Sequence, residues 1–130
     1  MLKEFCKKSI EYCTKEYGTS SYKPVPKIRF TQNISDYGLY KFNLNVICIN
    51  LKKHIEPANY SVNLLEISNT ITHEYQHYLQ DHDEYCRQVD IAYKHSSGNT
   101  SNIKYERIAR HVANRDEKKC FEYSINQLCQ

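Results

Sequence analysis

The residues with the clearest chemical potential in this chain lie in the stretch 71–80, which contains His73, Glu74 and His77. In a helix, residues four positions apart lie one turn above each other on the same face. The two imidazoles can therefore bind one metal ion as adjacent ligands, while Glu74 beside them stays free to act on a bound water. This H-E-x-x-H spacing predicts a zinc site with a general base next to it.

The residues around this motif predict an amphipathic helix. At about 100° per residue, the apolar side chains fall within one narrow stripe, whereas His73 and His77 fall on the far side with Glu66 and Thr70. The stripe consists of Leu64, Ile67, Ile71, Tyr75 and Tyr78. A helix of this kind lies between a hydrophobic core and an open cleft. We expect the histidines to face the cleft.

The length and composition are those of one domain, spanning residues 1–130. Charged residues make up 25% of the chain, and no apolar run approaches the length needed to cross a bilayer. The first residues carry charges where a secretory signal would be apolar, so we expect a cytoplasmic protein that is not associated with a membrane. The net charge is only +3 and the lysines are dispersed, which does not favour nucleic-acid binding.

The six cysteines would suffice for three disulfides. Without a secretory signal, reduced thiols are the better prediction. The chain has no C-x-x-C pair, so a cysteine zinc site is not favoured either. Cys6 and Cys13 have the spacing of a helix core, and Cys48 lies in an apolar segment, so we expect these thiols to be buried.

Periodicity along the chain predicts an α+β domain. The first half contains a helix over 2–17, which Gly18 ends, and strands over 27–30, 39–42 and 46–51, the last apolar enough to be central. These strands form a small antiparallel or mixed sheet. The second half contains the metal helix from an N-cap at Ser61 to about residue 80, a helix over 81–94, a loop over 96–102, a short helical or irregular piece over 103–111 and a last helix from Asn114.

A catalytic zinc ion usually has three protein ligands and one open position. A metzincin would place a third histidine at the position of Asp83 and a glycine at the position of Gln80, so that class is excluded. His82, His95 and His111 remain as lone histidines, each more typical of a surface or hydrogen-bonded imidazole.

Glu117 is the better candidate for the third ligand. It is followed at plus three by Cys120, at plus six by Tyr123 and at plus seven by Ser124. This pattern resembles the glutamate helix of the gluzincins, zinc peptidases in which small residues let that helix pack closely against the metal helix. The chain departs from the family at Phe121, where many gluzincins have an aspartate that supports a zinc-bound histidine. Alternatively, Glu117 only reaches back to a helix cap at Asn114.

The resemblance implies a zincin-like domain, in which the sheet packs on the H-E-x-x-H helix and a C-terminal glutamate helix. It implies a zinc-dependent endopeptidase in which His73, His77 and Glu117 bind Zn²⁺ and Glu74 is the general base. A peptide or protein substrate would be bound by a rim strand at Leu39, Tyr40, Lys41 and Phe42. Tyr105 and His111 are candidate helpers that stabilise the oxyanion.

Two other functions are compatible with the same motif. The chain could be a zinc-bound regulatory or interaction module without general proteolysis, although metal binding alone does not require a free carboxylate at Glu74. It could also resemble the SprT-type proteases that act on DNA-bound proteins, with His95 as the third ligand. The dispersed charge does not favour this second alternative.

Overall fold

The predicted change from helical to strand periodicity after Gly18 corresponds to a change of structure. A computed structural model describes residues 1–95 and 99–130 and has, within them, four α-helices and a three-stranded mixed sheet. The elements are α1 (Leu2–Tyr17), β1 (Lys27–Phe30), β2 (Gly38–Lys41), β3 (Val46–Ile49), a short 3-10 helix (Leu51–His54), α2 (Leu64–Leu79), α3 (His82–His95) and α4 (Lys104–Leu128). The predicted α+β class is therefore confirmed.

The apolar strand β3 lies at the centre of the sheet, as predicted. The strand order is β1-β3-β2, with β1 parallel and β2 antiparallel to β3. Because β3 is covered on both faces, all four of its residues are buried. It ends two residues earlier than predicted, because the 3-10 helix begins at Leu51. Within the described residues β2 is an edge strand, and it runs from Gly38 rather than from Leu39.

Helix α2 packs its apolar stripe into the core. Ile67, Ile71 and Tyr75 are fully buried, and they meet residues of α1, β3 and α4 there. The prediction of Ser61 as the N-cap is wrong. The cap is Asn63, whose side-chain oxygen accepts a hydrogen bond from the backbone N–H of Glu66.

The last part of the chain forms one helix where the sequence predicted two segments. Helix α4 begins at Lys104 and passes through Asn114 without a break. The segment contains no glycine or proline, and small side chains recur along its buried face. These are Ala109, Ala113, Cys120 and Ser124. Asn114 does not cap a helix; its side-chain oxygen instead accepts a hydrogen bond from Asn69 on α2.

Three other predictions concern the loop over 96–102, the cysteines and the absence of a membrane-spanning segment. Residues 96–98 of the predicted loop lie outside the described residues. All six cysteines are free thiols, and four of them, including Cys6, Cys13 and Cys48, are buried. Among the described helices, none combines the length and the apolar character that a membrane crossing requires.

Candidate metal centre

Helix α2 brings the three motif residues to one side of the molecule. Ligand atoms of His73, Glu74 and His77 all lie within 4.8 Å of one another. The three side chains line a cleft of about 1340 Å³, which confirms the prediction that the histidines face away from the core. Glu74 is only 5% exposed, because it lies at the floor of this cleft.

A second carboxylate lies against both imidazoles, and it belongs to Glu106 on the first turn of α4. Its Oε1 atom lies 3.1 Å from Nε2 of His73 and 2.9 Å from Nε2 of His77. Two imidazole nitrogens on α2 and one carboxylate oxygen on the facing helix α4 form a donor set that could hold a metal ion.

The hydrogen bonds of Gln80 determine which nitrogen of His77 is available. The Nε2 amide of Gln80 donates to the carbonyl of Tyr105 at 3.1 Å, so its Oε1 atom is the one that faces Nδ1 of His77 at 2.7 Å. Nδ1 of His77 must therefore carry a hydrogen. In the neutral ring, this leaves a lone pair on Nε2, pointing at the Glu106 oxygen. Two acceptors at 2.9 Å require a cation between them, either a proton or a metal ion.

His77 and Glu106 each favour the charged form of the other. Burial by itself would lower the pKa of His77, but the hydrogen bond to Glu106 and the charge of Glu74 outweigh it and raise the pKa above its usual value. Burial opposes ionisation of Glu106 too, yet the hydrogen bonds from His73 and His77 hold its pKa well below the usual range. The site therefore stabilises a negative carboxylate and a positive charge next to it.

The carboxylate of Glu74 is buried, and one of its oxygens is unpaired within the described residues. Its Oε2 atom is buried and has no hydrogen-bond partner among the described residues. Burial raises the pKa of its carboxyl group, although the neighbouring His77 and His73 oppose this. A buried carboxylate with an unused oxygen and a raised pKa accepts a proton more readily than a solvated one.

The edge strand β2 lies directly over this carboxylate. A Cβ atom at Gly38 would overlap the Cγ2 methyl of Thr70 and would lie 3.4 Å from Cγ of Glu74, so only glycine permits this approach. The residues predicted as the rim strand all line the cleft: Leu39, Tyr40, Lys41 and Phe42. At one end of the cleft, Phe42 stacks on His82 with ring centroids 3.6 Å apart.

A scan against protein-family models, a search of curated proteins and a search of solved structures each found no match to this chain. The assignment of a metal centre therefore depends on the geometry just described.

Glu117, the third ligand predicted from the sequence, lines the cleft at a different place. Its Oε2 atom accepts a hydrogen bond from Asn69 at 3.0 Å. Asn69 precedes His73 by one turn of α2, and α4 runs antiparallel to α2. Glu117 therefore lies nearer the N-terminal end of α2 than the two imidazoles do. Along α4 it is about three turns from Glu106. We therefore take Glu106 rather than Glu117 as the candidate third ligand.

The remaining predicted site residues lie outside the metal centre. Tyr105 and His111 are not among the described residues that line the cleft, and His111 is exposed. Tyr105 takes part through its backbone, which binds Gln80 and Gln88. His95 is exposed at the end of α3, outside the cleft, so the arrangement with His95 as a ligand gains no support.

A buried histidine that was not among the candidates drawn from the sequence, His54, supports helix α2. Nδ1 of His54 lies 2.7 Å from the carbonyl oxygen of Asn50, and Nε2 lies 2.8 Å from the hydroxyl of Thr70. Both ring nitrogens are thus occupied, and His54 is not a ligand. Its hydrogen bond to Thr70 fixes α2 at a point one turn before Glu74.

A signal for Glu106 was present in the sequence. Small residues follow it at plus three, Ala109, and at plus seven, Ala113, and both are fully buried in the structure. This is the spacing of small residues that suggested Glu117. Small side chains at these positions let the two helices approach closely enough for a carboxylate to reach the imidazoles.

Proposed function

We propose that this chain is a zinc-dependent metallopeptidase of the gluzincin type, with His73, His77 and Glu106 as metal ligands and Glu74 as general base. The observation that carries the proposal is the position of Glu106 Oε1, within 3.1 Å of Nε2 of both histidines. The fit of a zinc ion is supported by the hydrogen bond of Gln80, which leaves the His77 lone pair directed at this point. The ligand set and the separate base together favour hydrolysis over a purely structural site.

The residues of the chain have distinct roles in this reaction. A zinc ion held by His73, His77 and Glu106 would supply a water of lowered pKa and would polarise a peptide carbonyl. Glu74 accepts the proton of the attacking water and passes it to the leaving nitrogen. Its raised pKa suits this exchange, because a base that must also release the proton works best with a pKa near the working pH.

The cleft is suited to a peptide in an extended conformation. The strand β2 has β3 on one side, and within the described residues no strand pairs with its other edge. A substrate strand can hydrogen-bond to such an edge, with the scissile bond held above Glu74. Gly38 brings the backbone of β2 close enough to the base for this arrangement.

Metal content and hydrolysis, measured on the same samples, test the proposal. Purified protein should contain about one equivalent of zinc and should cleave casein or a peptide library. Glu74→Gln should keep the zinc and lose hydrolysis by at least about 100-fold, the usual scale of general acid–base catalysis. Glu122→Gln, a matched change at an exposed residue of α4, should behave like the wild type.

Two results would contradict the proposed enzymatic function. If zinc-loaded wild type and Glu74→Gln were equally inactive on all substrates, the chain would be better described as a zinc-bound interaction module. If Glu74→Gln remained as active as the wild type, Glu74 would not be the base.

A further inference from the structure

The helix α3 is attached to the rest of the protein mainly by polar contacts. None of its residues, all of which the structure describes, is buried, and apolar side chains such as Ile91 and Tyr93 are exposed. Hydrophobic burial therefore contributes little to its position. Its polar contacts converge instead on the first turn of α4, where Glu106 lies.

The most direct of these contacts is made by Tyr85. Its hydroxyl donates to Oε2 of Glu106 at 2.6 Å, and its ring stands edge-on to His77 with centroids 5.3 Å apart. The two oxygens of Glu106 are thus divided: Oε1 faces the imidazoles, and Oε2 is bound by Tyr85. A carboxylate held by one oxygen cannot rotate freely, and the other oxygen is then directed at the metal position.

Two glutamines support the same turn of α4. Oε1 of Gln88, one turn after Tyr85, accepts a hydrogen bond from the backbone N–H of Tyr105 at 3.0 Å. Gln80, which precedes α3, donates to the carbonyl of the same residue and accepts from Nδ1 of His77. These bonds connect the backbone next to Glu106 with His77 and with α3.

We infer that Tyr85 is a positioning residue for the metal centre, which holds Glu106 in the orientation that binds zinc. The inference depends on the proposed function, because it requires Glu106 to be a ligand. It also identifies the residue that supplies outer support to the ligand carboxylate. Partners of this kind are typically worth 10- to 100-fold in metal affinity.

The test compares zinc affinity in Tyr85→Phe and the wild type, by competition with a chromophoric chelator. Phenylalanine keeps the ring against His77 and removes only the hydroxyl, so the zinc dissociation constant should rise by about 10- to 100-fold. Tyr93→Phe, the same change at an exposed position of α3, should leave the constant unchanged. The cobalt-substituted protein should show altered visible absorption bands in Tyr85→Phe alone, because the geometry around the metal changes.

A double-mutant cycle with Glu106→Ala shows whether Tyr85 acts through Glu106. Once Glu106 is removed, adding Tyr85→Phe should weaken zinc binding no further. Zinc affinity in Tyr85→Phe equal to the wild type, or an equal loss in both backgrounds, would overturn the positioning role and leave the proposed function intact. Unchanged affinity in Glu106→Ala itself would overturn both, since Glu106 would then not be a ligand.

Discussion

Oε1 of Glu106 lies 2.9 Å from Nε2 of His77, although the two residues are 29 positions apart and belong to different helices. The contact exists because the first turn of α4 packs against the last turn of α2. Small residues on α4 allow the close packing, and the antiparallel direction places Glu106 opposite the second histidine. The candidate metal centre is therefore formed by the packing of two helices.

Replacing each candidate glutamate separately distinguishes the two possible third ligands. Glu106→Ala should weaken zinc binding by at least about 100-fold, because one of three protein ligands is lost. Glu117→Ala should keep zinc at one equivalent, since this carboxylate binds Asn69 instead. Metal analysis after dialysis against a weak chelator measures both.

The same pair of variants can reverse the assignment. Loss of zinc from Glu117→Ala with full retention in Glu106→Ala would restore the ligand that the sequence analysis favoured. Circular dichroism of the metal-free proteins serves as the control for folding.

The position of the two histidines could be predicted because it depends on one helix alone. The apolar stripe from Ile67 to Tyr78 and the polar face with His73 and His77 are parts of one periodic pattern, and the structure shows both where the pattern places them. Such a prediction needs only the geometry of a single helix.

The third ligand could not be predicted in this way, because it depends on how two helices are aligned. The sequence predicts a short helical or irregular piece over 103–111 and a separate helix from Asn114, and Glu106 is not among the candidate ligands drawn from it. In the structure both segments belong to one continuous helix, α4. Both glutamates are followed by small residues, so the pattern alone does not distinguish them; the register of α4 against α2 does.

Gly38 should be essential for the position of β2 over the base. In Gly38→Ala the new methyl overlaps Thr70 and crowds the carbonyl oxygen of Cys48 at 3.1 Å, so the strand must move away from α2. We expect a loss of about 1–3 kcal/mol in the free energy of unfolding. Peptide hydrolysis should fall as well, because the substrate edge and Glu74 separate.

Gly18→Ala is the matched control for this variant. Gly18 has a φ of 81° and nothing within 4 Å of a new Cβ, so alanine there strains the backbone without touching the cleft. It should cost about 1–3 kcal/mol in stability and leave kcat/KM unchanged. If both variants lost stability to a similar extent and neither lost activity, the placement of β2 over the base would not matter for the reaction.

The cysteines should separate into two classes of reactivity. Cys86 and Cys129 are exposed, whereas the other four are buried. Burial raises the pKa of Cys6 to about 12, which leaves almost no reactive thiolate at neutral pH. The hydrogen bond with Cys13 instead lowers the pKa of Cys120, so Cys120 is protected by its complete burial. Native protein treated with iodoacetamide should therefore gain two labels by mass spectrometry, and denatured protein six. Rapid labelling of more than two thiols in the native state would contradict the burial of this core.

Asp116 should make the stability of the metal-free protein depend on acid pH. Its carboxylate is 2% exposed and binds the guanidinium of Arg115 at 2.8 Å and 2.9 Å and the hydroxyl of Tyr17 at 2.7 Å. The bond to Arg115, with that of Tyr17, lowers the pKa of the carboxyl group despite burial. A group whose pKa is lower in the folded state stabilises the fold above its unfolded pKa of about 3.9 and loses this contribution as the pH falls through the folded value.

Asp116→Asn should therefore lose about 1.5–3 kcal/mol at pH 7, the range for hydrogen bonds to a charged group. The difference from the wild type should begin to narrow below about pH 4, where the unfolded state of the wild type takes up a proton, and should be lost only as the pH falls through the lower pKa of the folded state. Urea unfolding of the metal-free proteins at pH 7 and pH 3 measures this. Asp90→Asn, which removes an exposed pair with Lys94, should change stability by less than about 1 kcal/mol at either pH. If the stability difference between Asp116→Asn and the wild type were the same at both pH values, the charge of Asp116 would contribute nothing to stability. The contact between α4 and Tyr17 would then depend only on the shape of the side chain.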